Sequence, residues 1–254
     1  MDADLDTLAT ALYTRTDDLL KSYPEWIPSR PKVGIATQIS DAELVTMAVM
    51  QALLGFTSEA RWLRHTREHL LHLFPYLPQQ PGYNKAASST GTLNWLTGML
   101  ARDTSVWTDD VWVVDSTPVE CARSRDAVKR SDLAGWAEYG YCACPSRYFW
   151  GLRLHLVPTL HGLPVGFAIT GAKADERQVL LDLIHDDPTP AASRPGQILI
   201  ADKNYYGRDF EADIAGKGIQ LLRRARKGEP ERAGGKFFKP LRQTIESIFD
   251  TLKG

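Results

Sequence analysis

A short apolar run that ends in an aspartate constrains the fold of this chain more than any other feature. Residues 111–114 are VWVV, Asp115 follows, and the small, turn-prone residues 116–118 are STP. An apolar run this short predicts a strand that is buried on both faces. A carboxylate at the end of such a strand is costly to bury as a charge unless another group pairs with it. Asp115 is therefore either a strand-end cap or part of a charged site.

The same pattern occurs a second time. Residues 196–201 are GQILIA, and Asp202 comes directly after them. Two strands that each end in an acid favour a shared site over two independent caps. Mg²⁺ prefers hard oxygen ligands, so a divalent metal is the usual reason to gather such charges. Glu246, in the last segment of the chain, offers a third carboxylate.

Length and composition predict a globular protein without a membrane span. The chain has 254 residues, of which 43% are hydrophobic and 24% charged, which suits one large domain or two small ones. No apolar run reaches the roughly 18 to 20 residues that cross a bilayer. The acidic N-terminus, residues 1–6, is not followed by an apolar stretch and does not resemble a signal peptide. We therefore expect a cytoplasmic protein that makes no membrane contact.

The three cysteines favour the same compartment. Cys121, Cys142 and Cys144 contain no Cys-x2-Cys spacing. Ordinary reduced thiols are the simpler interpretation, and a zinc site built from these thiols and a histidine is the alternative.

The charge distribution, and not the net charge, suggests an anionic partner. The formal net charge is −1, which gives no overall argument for nucleic acid. Residues 223–242, however, hold eight basic residues against two acids. The basic residues of this segment are Arg223, Arg224, Arg226, Lys227, Arg232, Lys236, Lys239 and Arg242. The segment is a candidate phosphate-binding surface, or else a solvated loop with a charge bias.

The first 105 residues are predicted to be helical. Ser40 and Glu43 have the spacing of a capping box ahead of an apolar helix at 44–54. A second helix, predicted at 59–74, carries three arginines that could lie on DNA phosphates or form an ordinary exposed basic face. These arginines are Arg61, Arg64 and Arg67. His65 and His69 share a face of this helix and have a metal-binding spacing, but no glutamate stands where a zinc peptidase helix needs one.

The remainder of the chain alternates strands and helices. A polar insertion or long loop is predicted at 120–146, and a β-hairpin after it at 148–170. The elements predicted next are a helix at 174–185, the Asp202 strand, a helix at 209–215, a strand at 219–222 and a closing helix at 241–253.

This order of elements, with acids at Asp115, Asp202 and Glu246, resembles the RNase H-like, retroviral-integrase-like catalytic core. It resembles more closely a DDE transposase of a bacterial insertion sequence. The matching segments are VVDST, LIADKNYYG and LRQTIESIFDTLK. Arg242, Glu246 and Lys253 also fit the Arg-x3-Glu-x6-Lys spacing found on the final helix of many such transposases. Lys239 departs from that signature, because a tyrosine usually stands there.

The resemblance covers about residues 110–253, and more loosely the helical part before them. It implies an α/β fold, with an RNase H-like mixed five-stranded sheet and flanking helices, preceded by an all-helical N-terminal region. The expected boundaries are 1–105 for a DNA-binding helical region and 106–254 for the catalytic core.

The implied activity is metal-dependent DNA strand cleavage followed by strand transfer. By this resemblance two Mg²⁺ ions, for which Mn²⁺ can substitute, are held by Asp115, Asp202 and Glu246, with Asp115 bridging both. The implied partners are the terminal repeats of the element and target DNA, bound by a homo-oligomer in the bacterial cytoplasm and nucleoid. The residues expected to contact DNA are Arg242, Lys253, Lys203, Arg224, Arg226, Lys227, Arg61, Arg64 and Arg67.

Two alternatives remain open at this point. One is an RNase H-like nuclease that lacks strand transfer. The other is a catalytically inert, truncated remnant that only binds DNA, because the chain ends one residue after Lys253, where transposases of this type usually continue. Motifs of other enzyme classes are missing: the sequence has no Gly-x4-Gly-Lys loop, no Gly-x-Gly-x2-Gly and no Gly-x-Ser-x-Gly.

The two cations around Glu246 also allow two interpretations. Arg242 lies four residues before Glu246 and Lys253 seven residues after it, so both fall near one helix face. They would hold DNA phosphates beside the metal ions, Arg242 as a fork and Lys253 as a point charge. Alternatively, Arg242 only forms a surface pair with Glu246.

Overall fold

The structure is a computed structural model that describes residues 4–27, 38–87, 90–122, 125–142 and 146–232, together with residues 238, 243, 244 and 246–248. The chain divides into two compact units, Met1–Leu100 and Ala101–Gly254. Across the described ranges, no helix combines the length and the apolar character that crossing a bilayer requires.

The regular elements described in the first unit are helices. They are α1 (Leu5–Ser22), α2 (Asp41–Leu53), α3 (Glu59–His69), α4 (Gln80–Ala87) and α5 (Thr90–Arg102). The capping box predicted at the start of α2 is confirmed. The Glu43 N–H donates to Ser40 Oγ at 3.1 Å, and the Ser40 N–H donates to Glu43 Oε2 at 2.7 Å. Met47, Trp62 and Tyr83 are almost fully buried in the core of this unit.

The second unit contains two ladders of strands. Its strands are β1 (Val111–Val113), β2 (Asp115–Ala122), β3 (Glu138–Cys142), β4 (Arg147–Pro158), β5 (Pro164–Gly171), β6 (Ile198–Ala201) and β7 (Gln220–Arg223). One ladder is parallel, in the order β1-β6-β7. The other is antiparallel, in the order β2-β4-β3, with β5 also paired to β4.

The segment 111–122 links the two ladders. β1 and β2 are separated only by Val114, whose N–H donates to the Ile200 carbonyl at 2.9 Å. On the other side, Trp112 forms an isolated antiparallel bridge with Thr159, just beyond the end of β4. Across this break the strands lie in the order β5, β4, the joined strands β2 and β1, then β6 and β7. In place of the single five-stranded sheet expected from the sequence, the described residues form seven strands, divided between a three-stranded and a four-stranded ladder.

The structure corrects the long loop that the sequence predicted at 120–146. β2 continues to Ala122, a short helix α6 spans Arg125–Lys129, and β3 pairs with β4 from Glu138↔Gly151 to Cys142↔Arg147. The sequence pattern concealed β3 because its aromatic residues lie on an exposed face. Tyr139 and Tyr141 are 53% and 50% exposed.

The parallel ladder forms the core of the second unit, as its apolar sequence predicts. Val113 and Leu199 are fully buried in β1 and β6. Leu180 and Ile214 from two helices pack into this core. Helices α7 (Glu176–Asp186), α8 (Thr189–Ala192) and α9 (Arg208–Gly216) follow β5 in this unit.

A substitution at Gly151, in β4, tests how closely β2 and β4 approach each other. A Cβ added at this position would lie 2.0 Å from the Val119 carbonyl oxygen, a backbone atom that cannot move aside. Gly151→Ala is therefore expected to lower the free energy of unfolding by about 1–3 kcal/mol or more, as overpacking does. Urea denaturation measures this change.

Gly166 in β5 supplies the matched control, because no heavy atom lies within 4 Å of a Cβ added there. Gly166→Ala is expected to change stability by less than about 1 kcal/mol. Equal stability of the two variants would contradict the described packing of β2 on β4.

Candidate active site

Asp115 and Asp202 lie at the carboxyl ends of two neighbouring parallel strands. The register pairs Val113 with Ile200, and each acid follows two residues later. Because the carboxyl ends of parallel strands meet at one edge of a sheet, the structure brings these two sequence-predicted residues together. Their charges interact directly, since Asp202 raises the pKa of Asp115.

The Asp115 carboxylate is in an unfavourable environment for its charge. The pKa of Asp115 is raised to about 6, mainly by burial and to a smaller extent by the charges of Asp202 and Glu176. A hydrogen bond from the Ser116 N–H to Asp115 Oδ1, at 2.8 Å, and the charge of Arg153 act in the opposite direction. A cation beside this carboxylate would therefore relieve an electrostatic cost that the fold imposes.

The residues after β6 hold the Asp202 carboxylate in a fixed turn. The Asn204 N–H donates to Oδ1 at 2.7 Å, and the Asn204 side-chain amide donates to Oδ2 at 3.0 Å. Partial removal of the carboxylate from water raises the pKa of Asp202, although part of the side chain is exposed to solvent. The charge of the neighbouring Lys203 lowers that pKa.

Glu176 is a residue of this site that sequence reasoning missed. It is the first residue of α7, directly after the N-cap Asp175. Its Oε1 accepts hydrogen bonds from Ser116 Oγ at 2.6 Å and from Arg153 Nη1 at 2.5 Å. The same Nη1 also donates to Ser116 Oγ at 2.9 Å. The available sequence signal was Arg153, a charged residue between two leucines of a predicted strand, which must find a partner when the strand is buried.

Buried polar atoms without a hydrogen-bond partner lie in the same region. They are the Tyr205 hydroxyl, His155 Nδ1 and Arg153 Nε. Burial raises the pKa of Tyr205 well above its ordinary value, with added contributions from Glu176, Asp115 and Asp202. Burial lowers the pKa of His155, whose Nε2 lies 2.9 Å from Thr170 Oγ1. Both side chains are therefore neutral at pH 7.

Glu246 is helical and exposed. Two residues on, Ile248 lies against the turn between β4 and β5, since a Cβ added at Gly162 would be 3.5 Å from Ile248 Cγ1. Arg242 and Lys253 lie outside the described residues. Within the part of the chain that the structure describes, no group of three or more His, Cys, Asp or Glu side chains could hold a metal ion. The convergence of Asp115, Asp202 and Glu246 thus stays a prediction.

The basic cluster near the C-terminus is partly used inside the protein. The Arg223 side chain is only 4% exposed and is paired with Glu211 and Glu229 at 2.7 and 2.8 Å. Arg232 is also paired with Glu211, at 2.6 Å. These two arginines are therefore less available to phosphate than the sequence suggested.

The other predicted DNA contacts that are described are exposed. The Arg226 guanidinium lies 3.6 Å from the centroid of the Tyr206 ring, and that of Arg224 lies 5.8 Å from the centroid of Phe238. The exposed residues are Lys203, Arg224, Arg226 and Lys227 in the second unit, and Arg61, Arg64 and Arg67 on α3. In addition, Arg67 donates to the Pro78 carbonyl at 3.0 Å.

Residues 107–254 match a family of proteins described as Transposase DDE domain. The chain belongs to this family. The matched segment contains Asp115, Asp202 and Glu246, which are the three acids singled out by the sequence.

The chain also resembles solved Mos1 transposase structures at low similarity. The Mos1 mariner paired-end complex with Mn is 10% identical, with a TM-score of 0.29, over 94% of this chain and 78% of that chain. The pre-cleavage Mos1 transpososome is 9% identical, with a TM-score of 0.28, over 98% and 85% of the two chains. TM-scores this low do not establish a common fold. No curated protein matches the chain significantly in sequence.

The raised pKa of Asp115 predicts how stability depends on pH. The folded protein binds the proton of the Asp115 carboxyl more tightly than the unfolded chain does, in which the pKa of this group is near 3.8. The resulting stabilisation is fully present below pH 3.8 and is lost as the pH rises to about 6. Asp115→Asn cannot ionise, so without metal it should be more stable than the parent at pH 8, by about 2–3 kcal/mol.

Urea denaturation in EDTA at pH 8 and at pH 4 measures this difference, which should nearly vanish at pH 4. An Asn variant that is no more stable than the parent at pH 8 would contradict the burial of Asp115.

Proposed function

We propose that this member of the DDE transposase family cuts the ends of an insertion sequence and joins them to target DNA. The observation that carries the proposal is the placement of Asp115 and Asp202 at adjacent strand ends within the family-matched segment. Glu246 completes the set of three acids in the proposal. The helical conformation at residues 246–248 and the position of Ile248 against the β4–β5 turn support this assignment.

An RNase H-like core is part of the same proposal. The order of the strands supports it. The antiparallel hairpin of β4 and β5 lies on one side of the segment 111–122, and the parallel strands β6 and β7 lie on the other. The neighbouring strands β1 and β6 of this order are each followed by one of the acids.

The donor chemistry of Asp115 and Asp202 fits a divalent metal. Both offer hard oxygen ligands, and the charge of Asp202 raises the electrostatic cost of ionising Asp115, a cost that a bound cation would offset. We assign Asp115, Asp202 and Glu246 as the residues that would hold two Mg²⁺ ions, or Mn²⁺ in their place. When bound, such ions stabilise the attacking and leaving oxygens of a phosphodiester displacement.

The chain's own residues would orient the acids and bind the DNA. Asn204 holds the Asp202 carboxylate, and the Ser116 N–H holds that of Asp115. The proposed partners are the ends of the element and target DNA, bound by a homo-oligomer in the bacterial cytoplasm. The proposed phosphate contacts are Lys203, Arg224, Arg226 and Lys227, with Arg242 and Lys253 beside Glu246, and Arg61, Arg64 and Arg67 on α3.

Removing either strand-end acid is expected to abolish cleavage. Asp115→Asn and Asp202→Asn each delete a ligand charge and should lower Mg²⁺- or Mn²⁺-dependent cutting of terminal-repeat DNA at least about a hundredfold. Asp213→Asn is the matched control, because Asp213 is an exposed acid on α9. A gel assay of labelled DNA measures cleavage and strand transfer together.

Cutting by Asp115→Asn at the parental rate would refute the assignment of the site. Cleavage by the parent without any joined product would instead favour a nuclease that lacks strand transfer.

The arginines of α3 are expected to contact DNA phosphates. Replacing Arg61 and Arg64 with alanine should weaken duplex binding and reduce the slope of log affinity against log salt by about 1 to 2. The double variant Lys21→Ala/Lys217→Ala removes the same charge from other exposed positions and should leave the slope nearly unchanged. Fluorescence anisotropy at several salt concentrations measures both. Equal slopes for the two double variants would exclude this helix face as a DNA contact.

A further inference from the structure

Glu176 and Arg153 form an ion pair whose charges act on Asp115. Glu176 begins α7, whereas Arg153 lies in the middle of β4. Their side chains are 23% and 17% exposed, and Arg153 Nη1 lies 2.5 Å from Glu176 Oε1. A largely buried charge pair of this kind is costly to form and persists only with good geometry and further hydrogen bonds.

Ser116 connects this pair to Asp115. Its hydroxyl lies between the two charges, since it donates to Glu176 Oε1 at 2.6 Å and accepts from Arg153 Nη1 at 2.9 Å. Its backbone N–H donates to Asp115 Oδ1 at 2.8 Å. The side chain and the backbone of one residue therefore join the ion pair to the carboxylate. A shift of Ser116 would turn the Asp115 carboxylate with it.

The contacts of Glu176 argue against a second interpretation, that it is itself a metal ligand. Its Oε1 already accepts two hydrogen bonds, one of them from a guanidinium. Its contacts with one side chain from β2 and one from β4 instead suit a residue that fixes the segment carrying Asp115.

We propose that Glu176 and Arg153 are a positioning pair, which holds Ser116 and thereby aims the Asp115 carboxylate toward Asp202. This inference rests on the proposed function, because it assigns the orientation of the metal-binding acids. Residues that orient ligands in this way typically change metal affinity by about 10- to 100-fold when they are replaced. Neither Glu176 nor Arg153 contacts the metal in this assignment.

Mn²⁺ binding to the full chain without DNA tests the proposal, with the free ion followed by its electron paramagnetic resonance signal. Glu176→Gln keeps the shape of the side chain but removes its charge, and is expected to weaken Mn²⁺ affinity about tenfold or more. Asp175→Asn is the matched control. It removes the same charge one residue earlier, where the exposed Asp175 is paired with Arg177 and not with Arg153. Its effect should be less than about threefold.

A second pair of variants keeps the test valid if Glu176→Gln folds poorly. Ser116→Ala removes the linking hydroxyl and should also weaken Mn²⁺ binding, whereas Ser116→Thr keeps the hydroxyl and should restore affinity close to that of the parent. Thermal melts of the metal-free proteins show that each variant is folded at the temperature of the titration.

Three results would overturn the positioning role. A lower melting temperature with unchanged Mn²⁺ affinity would make the pair merely structural. Equal losses in Glu176→Gln and Asp175→Asn would indicate a general charge effect. A loss in Glu176→Gln as complete as in Asp115→Asn would make Glu176 a ligand. Failure of the proposed function looks different: the parent would not bind Mn²⁺, or Asp115→Asn would bind it as well as the parent, and the positioning role would then fall with it.

Discussion

The structure of the second unit depends on the pairing of one segment, residues 111–122, with strands on both of its sides. β1 pairs in parallel with β6, and β2 pairs in antiparallel with β4. The change from one partner to the other occurs at Val114, and Asp115 is the next residue. Because both neighbours fix the backbone at this point, the Asp115 carboxylate has little freedom to move away from Asp202. The same pairing buries it, which accounts for most of its raised pKa.

The charges around Asp115 would favour a cation bound beside it. Two acids at adjacent strand ends repel each other, and Glu176 adds a third negative charge nearby. Arg153 offsets part of this charge, but it is held by Glu176 and Ser116. In the proposed site, fold stability and metal binding therefore oppose each other at Asp115, since the buried charge that destabilises the metal-free protein is the charge that a divalent ion would bind. Such local conflict is expected at functional sites.

The sequence predicted those parts of the fold and the site that rest on local patterns. The apolar runs before Asp115 and Asp202 predicted buried strands, and the spacing of Ser40 and Glu43 predicted a cap that the structure confirms. Strand β3 was not predicted from the sequence, because it is short, its tyrosines are exposed, and the residues around it are polar like those of a loop.

Contacts between distant residues could not be predicted in the same way. Ser116 and Glu176 are 60 residues apart, and no local pattern indicates their hydrogen bond. Likewise, the basic segment from Arg223 onward predicted a phosphate surface, but sequence alone does not show which arginines find carboxylates. Glu211 pairs with Arg223 across 12 residues and with Arg232 across 21. The position of Glu246 relative to the other two acids depends on a long-range contact of the same kind.

Anomalous X-ray diffraction at the manganese edge, from crystals of the full chain grown with Mn²⁺, tests the central claim most directly. The account predicts a peak within about 2–2.5 Å of carboxylate oxygens of both Asp115 and Asp202, with Glu246 beside it. Strong manganese peaks only at other positions, with Asp115 and Asp202 bound to no ion, would contradict the assignment of these acids as the metal site.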